Sequence, residues 1–375
     1  MEAKKTAIVC ISDTYLERGL QLRAFYEKLG DEVVVITPDY SHRQKAYIET
    51  KQEGIVYLPH KAYTKNLSWQ RLYGHYAFAK RVRQYLEGWV PDHIHCLIPA
   101  NSLAMQMDQY KQSHPEITLC FDVIDMWPES LPVGDWFQKT PPALVWKNLR
   151  NKHLATADYV FAECGLFADQ LEAQTGVNAD VLYWTLSDEP TNDVPSLPTD
   201  HLALCYLGSV NNIIDLDWIE AFLEQLTKLI PVKLHLIASG EKKAEMVERL
   251  GQVCPIIDHG NVYDAQTKQA IFSSCHFGLN IMKETVMVGL SMKSLDYLKG
   301  GLPIINSLEG DLHTWIEEAF CGLNIRRDDI PYTVNKLVHL KPLQHLRMRQ
   351  NAKALYDTVF SPDAFEERLL ETLQD

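Results

Sequence analysis

Short runs rich in β-branched and aromatic residues alternate along this chain with stretches whose apolar positions recur every three or four residues. The runs TAIVCIS, EVVVIT, GIVYLP, HIHCLI, TLCFDVI, DYVFAE and ADVLYW have the length and composition of strands. Between them, segments such as Gly19 to Leu29 and Thr140 to Thr156 carry the helical period. Strand and helix in alternation predict a parallel sheet flanked by helices. The stretch TLSDEPTNDVPSLPTD then breaks the pattern with prolines and acids, as an interdomain linker does. A second series follows, LALCYLGS, VKLHLIAS, CPIIDHG, FGLNIM and LPIINS, again interleaved with helices. The expectation is α/β, with two doubly wound Rossmann-like domains joined near residue 195.

A chain of 375 residues is long enough for two separate cores. Its first apolar run, Thr6 through Ile11, is too short for a signal peptide or a membrane span, which predicts a cytoplasmic first strand. Eight cysteines are scattered through apolar segments without a Cys-x-x-Cys pair, a pattern of reduced core thiols with neither staple nor metal. The net charge of −13 argues against a nucleic-acid partner, because binding phosphate backbones needs clustered Lys and Arg. Basic and aromatic residues do gather between Lys65 and Trp89, either as a helix packed on the sheet or as a face for peripheral membrane contact.

Open parallel sheets bind ligands beyond the carboxyl ends of their strands, so candidate chemistry belongs in the loops that follow them. The loop after the first strand lacks the Gly-x-Gly-x-x-Gly fingerprint, which disfavours a nicotinamide dehydrogenase. Arg18 and Gly19 open the next helix, where a glycine admits a substrate close to the backbone or simply makes a turn. FDVIDMWPES, Phe121 to Ser130, runs apolar and then stops on acid, indole, proline and acid, as a strand does when it delivers polar groups to a sheet edge. The second half carries KETVMVGLSMKSLDYLKGGLPIINS. Gly289 to Ser291 would open a helix, with Ser291 as a cap and Lys293 and Asp296 on neighbouring positions of one face. Helix-start amides and Lys293 suit a diphosphate, and Asp296 suits a ribose diol; a surface ion pair is the competing reading.

SMKSLDYLKGGLPII resembles the donor-site helix of the retaining glycosyltransferases of family 4, and FDVIDMWPES resembles the Asp-Leu-Trp-Pro-Glu-Ser segment of their bacterial polysaccharide members. The likeness extends in order through ADYVFAEC, YLGSVNNIIDLDWI, LHLIASGE and HGNV. It implies the GT-B fold, two Rossmann-like domains facing across a cleft: residues 1–195 for the acceptor, 196–355 for the nucleotide sugar, and 356–375 a final helix returning to the first domain. The implied donor, a uridine diphosphate sugar, would meet Gly208, Ser209, Asn211, Ser239, Gly240, Val262, Gly289, Leu290, Ser291, Met292, Lys293 and Asp296. The acceptor, a glycan or lipid-linked precursor, would meet Arg18, Gly19, Asn101, Asp125, Trp127 and Glu129, and Lys293, Asp125 and Glu129 would act in catalysis without cofactor or metal. Trp127 would offer its face to a sugar or lipid, or else pack inside its domain.

The chain departs from the family pattern at Val288, where a glutamate is common, and at Ile124, where a histidine is common. Those departures keep a catalytically silent partner of another transferase in play, and a nucleotide-sugar epimerase on the same fold, which would need acid/base residues around the sugar, is the other alternative. Asp215 and Asp217 form an Asp-x-Asp, expected to be the acidic first turn of a helix rather than a metal site. His93 and His95 share a strand face, and no matching zinc ligands accompany them in the sequence.

Overall fold

The computed structural model of the protein describes residues 3–131, 133–186 and 196–374. Most of the proline- and acid-rich junction, residues 187–195, therefore lies outside the described residues. Two compact units emerge, Met1–Tyr183 with Glu366–Asp375, and Trp184–Phe365.

The first unit holds a parallel sheet of seven strands, β1 (Lys5–Val9), β2 (Glu32–Pro38), β5 (Ile55–Leu58), β6 (His93–Ile98), β7 (Thr118–Val123), β8 (Tyr159–Ala162) and β9 (Asp180–Val181). Their spatial order is β5-β2-β1-β6-β7-β8-β9, and a separate hairpin, β3 (Tyr40–Ser41) with β4 (Ala46–Tyr47), follows β2. Ile8 stands opposite Val35 on one side and His95 on the other, so apolar runs buried on both faces build the centre. The chain changes winding direction between β1 and β6, the topological switch point of this sheet.

One polar group is driven through that apolar interior. Arg18, in the helix Leu16–Lys28, is fully buried and donates from Nε and Nη2 to the Asp122 carboxylate at 2.6 and 2.9 Å. Its Nη1 and Nη2 also reach the carbonyls of Tyr183 and Leu182 at 3.1 and 2.8 Å. Those two carbonyls are thereby taken out of any ladder, which explains why ADVLYW yields only the two-residue β9. Burial alone would raise the Asp122 carboxyl; the Arg18 charge and the His95 ring, 3.5 Å away, outweigh it and hold the group below the usual range. Tyr26 continues the chain, its hydroxyl 3.0 Å from His95 Nδ1 and 3.1 Å from His93 Nε2, with Cys120 Sγ 3.3 Å from the same His93 nitrogen. His93, His95 and Cys120 place their ligand atoms within 4.8 Å of one another, and the Tyr26 hydroxyl already binds both rings.

The second unit repeats the plan with six strands, β10 (Leu202–Ser209), β11 (Val232–Ser239), β12 (Ile256–Asp258), β13 (Phe277–Asn280), β14 (Ile304–Asn306) and β15 (Gly322–Asn324), in the order β12-β11-β10-β13-β14-β15. Its core packs Trp218, Ile219 and Phe222 of the helix Leu216–Thr227 against Leu204, Leu234 and Leu279 of the sheet. Asp215 caps that helix by accepting from the Trp218 amide at 3.0 Å and pairs with Arg327 at 2.7 Å, while Asp217 pairs with Arg249 at 2.7 Å. Both carboxylates of the Asp-x-Asp are thus engaged at a helix start. The last helix, Pro362–Gln374, covers the expected segment from Pro362 on, and its part from Glu366 belongs to the first unit, where Glu366 pairs with Lys28 at 2.6 Å.

Removing the Asp122 carboxylate leaves a fully buried guanidinium uncompensated. Asp122→Ala is expected to cost about 3–5 kcal/mol, and the double variant Arg18→Met, Asp122→Leu to recover much of that, measured from the urea unfolding transition.

Candidate functional site

The decisive geometry in the second unit lies where β10 and β13 part. Their pairing runs only through Leu204 with Phe277 and Cys205 with Gly278. Beyond it, the Leu207 amide donates to the Tyr297 hydroxyl at 2.7 Å, and that hydroxyl donates in turn to the Cys205 carbonyl at 3.2 Å. The ring fits because Gly278 has no side chain; a Cβ there would come within 2.7 Å of it. Tyr297 belongs to the helix Met292–Lys299, so the wedge fixes that helix over the end of β10.

Lys293, one turn earlier, projects to the same place. Its Nζ donates to the Tyr206 hydroxyl at 3.4 Å and stands 4.5 Å from that ring's centroid, while Gly208, at φ +116, passes beneath the lysine stem. Among the described residues no carboxylate pairs with it. Burial therefore pushes its ammonium down to about 7, close to half-protonated at neutral pH. A buried cation that lacks a counter-ion at a switch point, beside the first-turn amides of a helix, is suited to an anion.

The helix start is held by amides of the sheet. Ser291 occupies the cap position without capping; its hydroxyl donates to Asn280 Oδ1 at 3.1 Å and lies 2.7 Å from the Ser294 hydroxyl. Asn280 Nδ2 donates to Asn306 Oδ1, Asn306 Nδ2 to Asn324 Oδ1, and Asn324 Nδ2 to the His313 carbonyl, each at 3.0 Å. These asparagines end β13, β14 and β15 in register. The Met292 and Lys293 amides stand where no intrahelical carbonyl precedes them.

The other expected donor residues fall into two groups. Ser209 and Ser239 stand opposite each other at the ends of β10 and β11, and Gly240, at φ +105, is required there because a Cβ would lie 2.5 Å from the Val210 carbonyl. Val262 lies in the loop after β12, and Gly289 accepts from the Leu312 amide at 3.2 Å, just before Leu290. Asn211 is turned inward, accepting from the Ile213 amide at 3.0 Å. Asp296 is ion-paired with Lys268 and not with Lys293, the partner that the competing reading gave it.

In the first unit the sequence expectations divide more sharply. Arg18 is spent on Asp122, and Gly19 is buried where a Cβ would meet Ile8 and Val35 at 3.8 Å; both belong to the interior, a correction to their assignment as acceptor contacts. Asn101 is likewise buried, donating to the carbonyls of Trp127 and Trp146 at 2.8 and 3.0 Å, so it props the site instead of lining it. Trp127 is packed rather than presented: Arg71 lies 4.4 Å from its ring centroid, His75 stacks on it at 6.2 Å, and Trp146 tilts against it at 6.1 Å. Glu129 pairs with Arg150 at 2.8 Å and Lys147 at 3.3 Å. Asp125 is half-buried; burial raises its carboxyl, partly offset by hydrogen bonds from Ser130, Trp127 and the Met126 amide.

No protein-family model and no curated protein matches the sequence. Solved structures do. Sucrose-phosphate synthase from Thermosynechococcus elongatus superposes with a TM-score of 0.73 at 13% identity, over 99% of this chain and 98% of that one. The lipopolysaccharide outer core galactosyltransferase WaaB follows with 0.67 at 14% identity, over 99% of both chains. Anabaena HepE, solved with UDP and glucose, gives 0.67 at 13% identity, again over 99% of both. The fold is GT-B.

Residues that sequence reasoning missed are the ones that hold this fold's switch point together. Tyr297 lies inside SMKSLDYLKGG and Tyr206 inside a strand, and neither receives a role from the sequence; the three asparagines carried a signal only as polar residues ending three apolar runs. Lys293→Met, which removes the half-buried ammonium and keeps its stem, is expected to raise the melting temperature of the free protein at pH 6. Because the folded-state pKa lies below that of the unfolded chain, the gain should shrink as pH rises from 7 toward 10.

Proposed function

We propose that the protein is a retaining glycosyltransferase, of the family 4 kind, that moves a sugar from a uridine diphosphate sugar to a cell-surface polysaccharide or glycolipid precursor on the cytoplasmic side of the membrane. The observation that carries the reading is Lys293, an ammonium without a carboxylate partner among the described residues, set between Tyr206 and the first turn of the helix Met292–Lys299. Departure of a nucleoside diphosphate builds charge on the leaving phosphate, and fixed donors aimed there lower the barrier. Lys293 and the Leu290 to Met292 amides supply that, with Ser209, Ser239 and Gly240 on the adjoining strand ends and Val262 near the base. Ribose binding requires Asp296 to turn from Lys268 or to use its remaining lone pairs. Asp125, with its raised carboxyl, would take an acceptor hydroxyl, and Glu129, fixed by Arg150, would orient it. HepE, solved with UDP and glucose, and the galactosyltransferase WaaB support this reading as proteins of the same fold.

The test is calorimetric titration with UDP-glucose, whose diphosphate diester does not titrate near neutrality, followed by transfer assays with lipid-linked acceptors. Affinity should fall by up to about tenfold per pH unit above 7 as Lys293 loses its proton. Lys293→Arg should keep affinity and lose that pH dependence, and Lys293→Gln should weaken binding at least tenfold. Transfer should survive thorough chelation, since cation and amides take the place of a metal. Epimerisation without an acceptor, or no turnover of any nucleotide sugar, overturns the assignment.

Peripheral membrane contact belongs to the same proposal. No helix among the described residues is long and apolar enough to cross a membrane. The helix Trp69–Trp89 begins with Trp69 and Tyr73 at 73% and 60% exposure, and Lys61 and Lys80 stand 5.4 and 5.5 Å from the Tyr73 and Tyr76 rings. Arg81 and Arg83 are more committed, donating to the Pro59 carbonyl and to Gln109 at 3.0 and 2.7 Å. Sedimentation with anionic liposomes should be salt-sensitive, at about 1 kcal/mol per surface cation, and should be lost in Trp69→Ala, Lys61→Glu, Lys80→Glu.

A further inference from the structure

At the carboxyl edge of the first sheet, cations collect around one phenol. Lys45 Nζ lies 4.7 Å and Arg71 Cζ 5.6 Å from the Tyr63 ring centroid. His42 Nδ1 is 2.6 Å from the Tyr63 hydroxyl and 3.3 Å from Lys45 Nζ, and Arg71 Nε donates to His75 Nε2 at 3.3 Å. Lys45 and Arg71 otherwise donate to neutral oxygens, Asn66 Oδ1 at 2.6 Å and the Asn66 carbonyl at 2.9 Å, and neither has an ion pair among the described residues.

The nearby acids, Asp13 and Asp125, attract Lys45 and Arg71 without forming a direct ion pair with either. Asp13 accepts from the Ser41 hydroxyl at 2.5 Å and from the His42 amide at 2.9 Å, and Asp125 is bound by Ser130, Trp127 and the Met126 amide. Crowded cations destabilise one another. Burial, then the charges of Arg71 and Lys45, push His42 down to about 4, and burial with Arg71 lowers Lys45. The backbone at Lys45 also holds φ +55, a region that L residues other than Asn and Asp seldom enter.

A second observation is independent of the charges. Behind Arg71, both ring nitrogens of His60 and the Nδ1 of His75 are buried without a hydrogen-bond partner, and the His60 and His75 rings lie 5.9 Å apart. Two imidazoles with unmet ring nitrogens thus stand beside two cations that, among the described residues, have no direct ion pair and feel only the more distant charges of Asp13 and Asp125.

We propose that Lys45, Arg71, His42 and His75 bind a phosphoryl group carried by the acceptor. This deepens the sugar-transfer reading and rests on it for the word acceptor alone. Arginine's planar fork takes two phosphate oxygens, lysine adds a point charge, and the imidazole N–H groups donate to what remains. A neutral glycan hydroxyl would leave both cations uncompensated.

The experiment titrates the full-length protein with inorganic phosphate, glucose 6-phosphate, octyl phosphate and acetate, with and without saturating UDP. The parent should bind the phosphates and bind acetate at least tenfold more weakly, and Lys45→Gln and Arg71→Gln should each lose tenfold or more for the phosphates. Comparing glucose 6-phosphate with octyl phosphate separates a sugar-borne from a lipid-borne group. Phosphate binding unaltered in both variants, or acetate bound equally well, overturns the proposal. Arg71 also packs on Trp127, so its variant is checked by melting temperature; Lys45, half-exposed, keeps the test informative if Arg71→Gln does not fold. UDP bound normally with no phosphate site sinks this inference alone, and a Lys45-dependent phosphate site in a protein blind to UDP sinks the sugar-transfer reading alone.

Discussion

Where two parallel strands diverge, the backbone of each loses a partner, and a buried amide left that way is costly. In the second unit the cost falls on Leu207 and is met by the phenol of Tyr297, which also reaches the Cys205 carbonyl. Much else is conditional on that one hydroxyl. Gly278 must lack a side chain to admit the ring, the helix Met292–Lys299 must lie over the parting strands, and Lys293 must then point at Tyr206 and Gly208. A site for an anion arises at this point because satisfying the sheet's own defect brings a helix start and a cation to it.

The first unit solves the equivalent problem differently. Its interior carries a complete charge pair, Arg18 with Asp122, extended by His95, Tyr26 and His93, with the His95 Nε2 left 3.5 Å from the Asp122 carboxylate. Its outer edge is the reverse, with Arg71, Lys45, His60 and His75 gathered around Tyr63 and Trp127 and poorly answered. Charge that is compensated inside becomes costly only when one partner is removed; charge without a direct ion pair at a strand edge favours a ligand.

Alternation of apolar runs was enough to foresee two parallel sheets, because strands buried on both faces must be apolar throughout. Very short elements escaped it: the β3–β4 hairpin and β15 have too few residues to show a period, and β9 stops early for a reason located in Arg18, far away in sequence. At the site, Lys293 and Gly208 were legible from their place after strands and before a helix. Asn101 and Arg18 misled because a polar residue near a strand end looks the same in sequence whether it faces solvent or braces a carbonyl. The cation cluster around Tyr63 was invisible for the opposite reason, since His42 and Lys45 come from the β3–β4 turn, Tyr63 from a loop and Arg71 from the helix Trp69–Trp89.

The asparagine ladder has a direction. Its far end is the His313 carbonyl, which only accepts, so Asn324 must present its nitrogen there and its oxygen to Asn306, and the same choice passes inward through Asn280. The Ser291 proton is thereby conscripted, and the Ser294 hydroxyl becomes the donor to its oxygen. Three amides thus act as a row of one-way valves running from the sheet's margin to the helix start. A serine at the cap position would ordinarily silence an amide of its own first turn; here it is kept facing the sheet, and the helix keeps its N–H groups open toward the place where Lys293 waits.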